Sequence, residues 1–284
     1  MVTAAKSPFV SQTPQGEPPV SNSASRQRGA LIVNADDWGR DRENTDRILD
    51  CARVGAVSAV SAMVFMEDSE RAAALANEER VDAGLHLNFT TKFSGRTNQK
   101  LADHHQRVSR FLLRNRMAQV IFHPGLTNSF AYVVASQIEE FRRLYGIDPN
   151  RVDGHHHMHL CANVLFAKLL PARTTARRNF SFEPGEKSGV NRLYRKFTDS
   201  LLARRHRMTD FFYSLAPVKP AERIQKIFSA AHCFTVELET HPVNQEEYDY
   251  LTRGEMRHQL GDLTPASHLV VSAANYTKRI DVDD

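Results

Sequence analysis

The chain has 284 residues, of which 41% are apolar and 25% charged, with a net charge of +4; this is ordinary for a globular protein with a full core, as one large domain or two small ones. Its longest apolar runs, ALIV from Ala30 and LVVSAA from Leu269, fall far short of the roughly 20 residues a transmembrane helix needs, and residues 1–28, rich in Ser, Pro and Gln, lack the apolar centre of a secretory signal and read as a flexible tail. Cys51, Cys161 and Cys233 are odd in number and widely separated, which excludes a disulfide framework or a CxxC zinc pair and fits a reducing cytoplasm.

In chain order, ALIVNADDWG from Ala30 is a short apolar run that turns polar and ends on Gly39, as a buried parallel strand does when it delivers side chains to a loop. ENTDRILDCARVG predicts a helix with Thr45, Ile48, Leu49 and Ala52 on one face and Gly55 as its stop. AVSAVSAMVF predicts a second strand, EDSERAAALANEE a helix capped by Asp68, and RVDAGLHLNFT a third strand whose polar end carries His86 and Asn88. QRVSRFLLRNRMAQVIF and NSFAYVVASQIEEFRRLYG read as helices, and DPNRVDGHHHMHL enters another strand end after Pro149. Residues 172–210 are basic and carry no clear element. HCFTVELETHPV is a further strand with a polar end, NQEEYDYLTRGEMRHQL a helix and SHLVVSAANYT a last apolar stretch. Three strand and helix alternations in the first part of the chain argue for parallel strands with crossover helices, in a β/α barrel or an open doubly wound sheet. No internal repeat or second-domain boundary is visible.

The sequence pI near 9.0 hides an uneven distribution: from Pro171 to Arg207 there are ten Lys and Arg against three Asp and Glu. Such a patch attracts phosphate or nucleic acid, but it lacks the aromatic and glycine signature of an RNA-recognition module. It reads as a solvated face or a basic lid.

In parallel α/β folds the loops after the carboxyl ends of the strands form the active site. Here those ends carry Asn34, Asp36 and Asp37; His86 and Asn88; His155, His156, His157 and His159; and Glu237, Glu239 and His241. One metal centre on a common rim is the economical explanation. Adjacent aspartates on an extended segment point to opposite sides, so one of Asp36 and Asp37 would bind the ion while the other faces substrate. The same alternation would put His155, His157 and His159 on one side, and the residues alone do not choose among them. One carboxylate with two imidazoles leaves open positions for water and a substrate oxygen, and a second carboxylate is available as general base.

LIVNADDWG, GAVSAVSAMV, AGLHLNFT and VDGHHHMHL, in this order, with ELETHPV later, resemble the YdjC-like carbohydrate deacetylases over residues 30 to 275. That resemblance implies a distorted, TIM-like β/α barrel, a single domain over residues 29–284 after the tail, that removes the N-acetyl group from an amino sugar with one divalent metal, magnesium or zinc. Matched motif by motif, it implies Asp37, His86 and His155 as metal ligands, Asp36 as catalytic base and His241 as the group that protonates the leaving amine. Trp38, Asn88, His157, His159 and Glu239 are then candidate substrate contacts, with Asp153 a partner behind the ligands. Trp38 stands where the family usually has phenylalanine, and the segment between Thr90 and Leu113 lacks the usual Gly-Pro pattern. The basic stretch FEPGEKSGVNRLYRK would favour an anionic or lipid-linked sugar. The expected partner is an N-acetylated sugar or glycoconjugate, with no nucleic acid and no membrane span, and with homodimerisation left open. The competing readings are a nonheme-iron oxygenase, which uses the same two-histidine, one-carboxylate set, and a non-catalytic binding protein on the same fold.

Overall fold

Each apolar run is followed by a helix long enough to return the chain across a sheet, so that successive strands pair in parallel. The structure, a computed structural model, describes residues 29–182 and 188–269. Its elements are β1 (Ala30–Trp38), α1 (Arg42–Arg53), β2 (Ala59–Ala62), α2 (Ser69–Glu79), β3 (Ala83–Leu87), α3 (Gln99–Leu112), α4 (Thr127–Tyr145), β4 (Arg151–Gly154), α5 (Ala162–Phe166), β5 (Thr175–Ala176), α6 (Gly189–Ala203), β6 (Phe211–Ser214), α7 (Ala221–Ala231), β7 (Thr235–Thr240), α8 (Gln245–Thr252) and α9 (Glu255–Leu260). The tail expected at residues 1–28 and the last apolar stretch from residue 270 onward lie outside the described residues.

The seven strands are parallel in the order β5-β4-β3-β2-β1-β7-β6. Central β1 buries Leu31, Ile32 and Val33 in succession, as a strand covered on both faces must. The sheet curls until its edges approach. Thr175 forms a bridge with Arg207, and Ser181 N donates to Phe212 O at 2.8 Å. No continuous ladder joins β5 to β6 among the described residues, because β5 is only two residues long. The expected barrel is therefore corrected to a curled, seven-stranded half-barrel.

Local sequence explains most element ends. Asp41 caps α1 by accepting from Asn44 N at 2.9 Å, and Gly55 follows in the left-handed region at φ 76°. Thr45, Ile48 and Leu49 turn inward from α1 as expected. Asp68 occupies the N-cap of α2 but makes no capping bond; it holds Arg71 at 2.9 and 2.7 Å instead, an ion pair displacing the expected cap. The helix expected from Gln106 to Phe122 begins earlier, at Gln99, where Asn98 accepts from Leu101 N at 2.8 Å. The one helix expected after Asn244 is two, parted by Gly254 at φ 89°. No helix among the described residues is long and apolar enough to cross a membrane.

The amino ends of the strands are plugged by Arg151, whose Nη2 donates to Val60 O at 2.6 Å and whose Nη1 lies 3.5 Å from Asp82 Oδ1. The guanidinium passes over Gly84, where a Cβ would lie 2.6 Å from its Nε. Arg151 is buried and cannot swing into solvent. Gly84→Ala is expected to lower unfolding stability by about 1–3 kcal/mol, read as a lower urea midpoint with an unchanged slope.

Candidate metal centre

The strand ends converge through two departures from regular geometry. β1 pairs with β2 as Ala35 with Val60 and then Trp38 with Ala62, so Asp36 and Asp37 together stand opposite Ser61 alone. This is a β-bulge, with Asp37 at φ 68°, a left-handed conformation that aspartate tolerates better than most residues. The alternation expected of adjacent aspartates is thereby cancelled. Asp37 Oδ1 lies 3.5 Å and Asp36 Oδ2 3.9 Å from His86 Nε2.

The second departure follows β4. His155–Leu160 form a 3₁₀ turn in which His156 and His157 adopt φ 54° and 56°, so the run is not extended and its histidines diverge. His155 Nδ1 points to Asp37 Oδ1 at 2.9 Å. His156 Nδ1 lies 3.1 Å from Thr90 Oγ1. His157 packs edge-on against Phe180, with centroids 4.7 Å apart, and its Nε2 is 3.8 Å from Glu239 Oε1. His159 turns back into the core, its Nε2 2.9 Å from Arg177 O. Gly154 permits the turn, since a Cβ there would lie 3.0 Å from His159 N.

Asp37, His86 and His155 are all buried, and their donor atoms lie within 4.8 Å of one another. His86 Nε2 completes no hydrogen bond among the described residues, a costly state for a buried polar atom unless something sits between it and the Asp37 Oδ1 that faces it at 3.5 Å. His86 Nδ1 contacts Asp153 Oδ1 at 2.7 Å, which directs the Nε2 lone pair at the cluster, the arrangement by which carboxylates orient metal-ligating histidines. One carboxylate and two imidazoles are compatible with a divalent ion. Two other acidic groupings, one of Asp36, His86 and Asp153 and one of Asp36, Glu239 and His241, are poorer candidates because a guanidinium already occupies their carboxylates.

That guanidinium is Arg177, a residue unnoticed within the basic segment. It is buried and grips Asp36 with two bonds, Nη1 to Oδ2 at 2.7 Å and Nη2 to Oδ1 at 2.8 Å, while its Nε donates to Glu237 Oε1 at 2.8 Å and Nη2 lies 3.0 Å from Asp153 Oδ2. Its plane sits 4.9 Å from the Phe212 ring centroid. Asn34 Nδ2 adds a bond to Asp36 Oδ1 at 2.9 Å and another to Ser61 Oγ at 2.7 Å, and Ser61 Oγ donates to Asp153 Oδ2 at 2.5 Å. Burial alone would raise the Asp36 carboxyl, but Arg177, then His86, hold it well below the ordinary carboxylate range. Burial also opposes ionisation of Asp37, and the neighbouring His155 and His86 override it to keep Asp37 anionic. Glu239 goes the other way: burial, then the negative Asp36 beside it, push its carboxyl well above the usual value. The two carboxyls are thus biased apart, Asp36 toward the anion and Glu239 toward the protonated form.

Three of the expected substrate contacts lie buried within the protein. The Trp38 indole has no exposed face, and its Nε1 donates to Ala72 O at 3.2 Å. Asn88 is buried and holds the turn after β3, accepting from Thr90 N at 3.1 Å and Thr91 N at 2.9 Å. His159 is buried behind the cluster, and desolvation pushes its pKa down to about 4. His157 and His241 remain partly open at the rim, and His241 Nε2 is 3.9 Å from Glu239 Oε1.

Residues 30–262 match the family described as YdjC-like protein. A chitooligosaccharide deacetylase of Proteus mirabilis (strain HI4320) is 31% identical over 152 residues, covering 50% of this chain and 58% of the relative. One of Yersinia pestis (strain Pestoides F) is 30% identical over 135 residues, covering 47% and 52%. The matched stretch thus spans little more than half the length of these curated relatives. Among solved structures, a proposed cellobiose-phosphate cleavage protein of Enterococcus faecalis V583 superposes with a TM-score of 0.60 at 16% identity, covering 86% of this chain and 99% of that one, a likeness of fold.

Arg177→Met would leave a group of buried carboxylates without their counter-charge, and it is expected to lower stability by about 3–5 kcal/mol. Arg177→Lys keeps the charge but not the fork, and its loss in urea denaturation should be smaller.

Proposed function

This chain belongs to the YdjC-like family, and from that premise we propose that it is a metal-dependent hydrolase that removes an N-acetyl group from an amino-sugar substrate. The observation that carries the reading is the convergence of Asp37 Oδ1, His155 Nδ1 and a His86 Nε2 that completes no hydrogen bond, with a second carboxylate, Asp36, held anionic next to them. The names of the relatives, chitooligosaccharide deacetylases, support the same chemistry.

Asp37, His86 and His155 would hold a divalent ion, zinc or magnesium, which when bound supplies a charge that makes water more acidic and polarises the acetamide carbonyl. Asp36 accepts the proton of the attacking water as general base. Arg177 and Asn34 fix the orientation of that carboxylate and keep it ionised. His241, half-open at the mouth, donates a proton to the departing amine, with Glu239 beside it as the buried proton holder. His157 and the Phe180 ring packed against it form one wall against which the sugar ring rests.

The test is acetate release from a panel of N-acetylated sugars, free, nucleotide-linked and lipid-linked, by metal-analysed protein. Asp36→Asn is expected to retain metal and lose about 10²–10⁴-fold in turnover, whereas His155→Ala loses metal and turnover together. Activity that persists without oxygen separates a hydrolase from an iron oxygenase. Full turnover by metal-loaded Asp36→Asn would remove Asp36 from the role of base.

A further inference from the structure

Helix α6 buries Leu202 in the core but turns three other apolar residues outward. Val190, Leu193 and Phe197, spaced to share one face, are 82%, 69% and 49% exposed. The face does not stop at the helix. The exposed Phe166 ring at the end of α5 lies with its centroid 6.5 Å from that of Phe197, and the exposed Phe122 ring lies 6.3 Å beyond it, edge to face. Exposed Met117 stands on the same connection as Phe122, between α3 and α4. Side chains from three separate segments thus make a continuous apolar surface, of the kind that marks an interaction site when it is this extended.

Among the described residues that flank it on α6 and on the connection between α3 and α4, the exposed charges are of one sign. Exposed Arg192 and Lys196 adjoin Leu193 and Phe197 on α6, and exposed Arg114 and Arg116 precede Met117. Residues 113–126 contain no Asp or Glu. Within α6 the one acid is Asp199, and it is turned away to Arg178 and Asn179. A second copy of the chain docked symmetrically on this face would bring like charges together. An anionic lipid surface satisfies both features at once, because the apolar side chains enter the boundary between headgroups and acyl chains while the flanking cations meet the phosphates.

We propose that α6, with Phe166 and the Met117–Phe122 segment, docks the protein on an anionic phospholipid bilayer. α6 packs on α5, which directly follows the His155–Leu160 turn, so docking would present the rim of the cluster beside the membrane surface.

The full chain is mixed with vesicles of phosphatidylcholine alone or of phosphatidylcholine with phosphatidylglycerol, and the bound fraction is measured by sedimentation. Wild type is expected to bind the mixed vesicles, to ignore the neutral ones and to be released by salt. The double variants Leu193→Ser with Phe197→Ser and Arg192→Glu with Lys196→Glu should each bind at least about tenfold more weakly, with unchanged melting temperature because all four side chains are exposed. No binding of wild type to the mixed vesicles overturns the proposal, as does equal binding by folded variants of either kind. Concentration-dependent self-association that the Leu193 and Phe197 changes abolish, without vesicle binding, would assign the face to a second copy; association only with an acidic protein would assign it to that class. None of these readouts involves acetate release, so they stand or fall apart from the deacetylase reading.

Discussion

Arg177 is fully buried with Asp36, Asp153 and Glu237 around it and Glu239 3.7 Å away. Carboxylates at that density repel one another and resist desolvation, and the guanidinium makes their coexistence tolerable. Its planar fork also apportions them. Asp36 receives the bidentate grip and is favoured as the anion, Asp153 is held where it orients His86, and the Glu239 carboxyl is pushed upward. The carbonyl of the same residue receives His159, tying the histidine turn to the strand edge. A lysine in its place would carry the charge without distributing it.

Four histidines in five positions invite the idea of a multidentate site, yet the 3₁₀ turn assigns them to different neighbours. One faces Asp37, one Thr90, one an aromatic wall and one the core. Desolvation keeps His157 and His159 neutral, at about 3 and about 4, so neither adds charge beside Arg177. Chemical identity alone did not distinguish these residues. Backbone conformation did.

The strand ends were legible because parallel strands covered on both faces write themselves as apolar runs that stop abruptly, as in LIVNADD and AGLHLN. That rule located Asp36, Asp37, His86, His155, Glu237, Glu239 and His241 before any contact was known. It failed at Arg177, where the strand is two residues long and Arg178 and the charges that follow disguise a buried cation as one more surface residue. Trp38, Asn88 and His159 also lie near strand ends, and all three are buried; at His159 the turn at His156 and His157 removes the alternation an extended chain would have. β6 and α7 escaped notice because the Pro-rich link from Ala216 to Pro220 broke the pattern between them. The half-barrel in place of a barrel has the same origin as the missed arginine: a strand too short to announce itself or to close a ladder.

The bulge at Asp36 and Asp37 separates what holds the sheet from what arms it. Ala35 and Trp38 remain in register with β2 on either side of the two aspartates, so the ladder tolerates the extra residue as a local insertion. Removing one of the pair would restore a regular strand of the same hydrophobic character and leave the half-barrel intact, while returning the remaining carboxylate to a single side of the sheet. A change in length at one position would therefore part this cluster with every histidine still in place, and a comparison of residue types alone would not detect it.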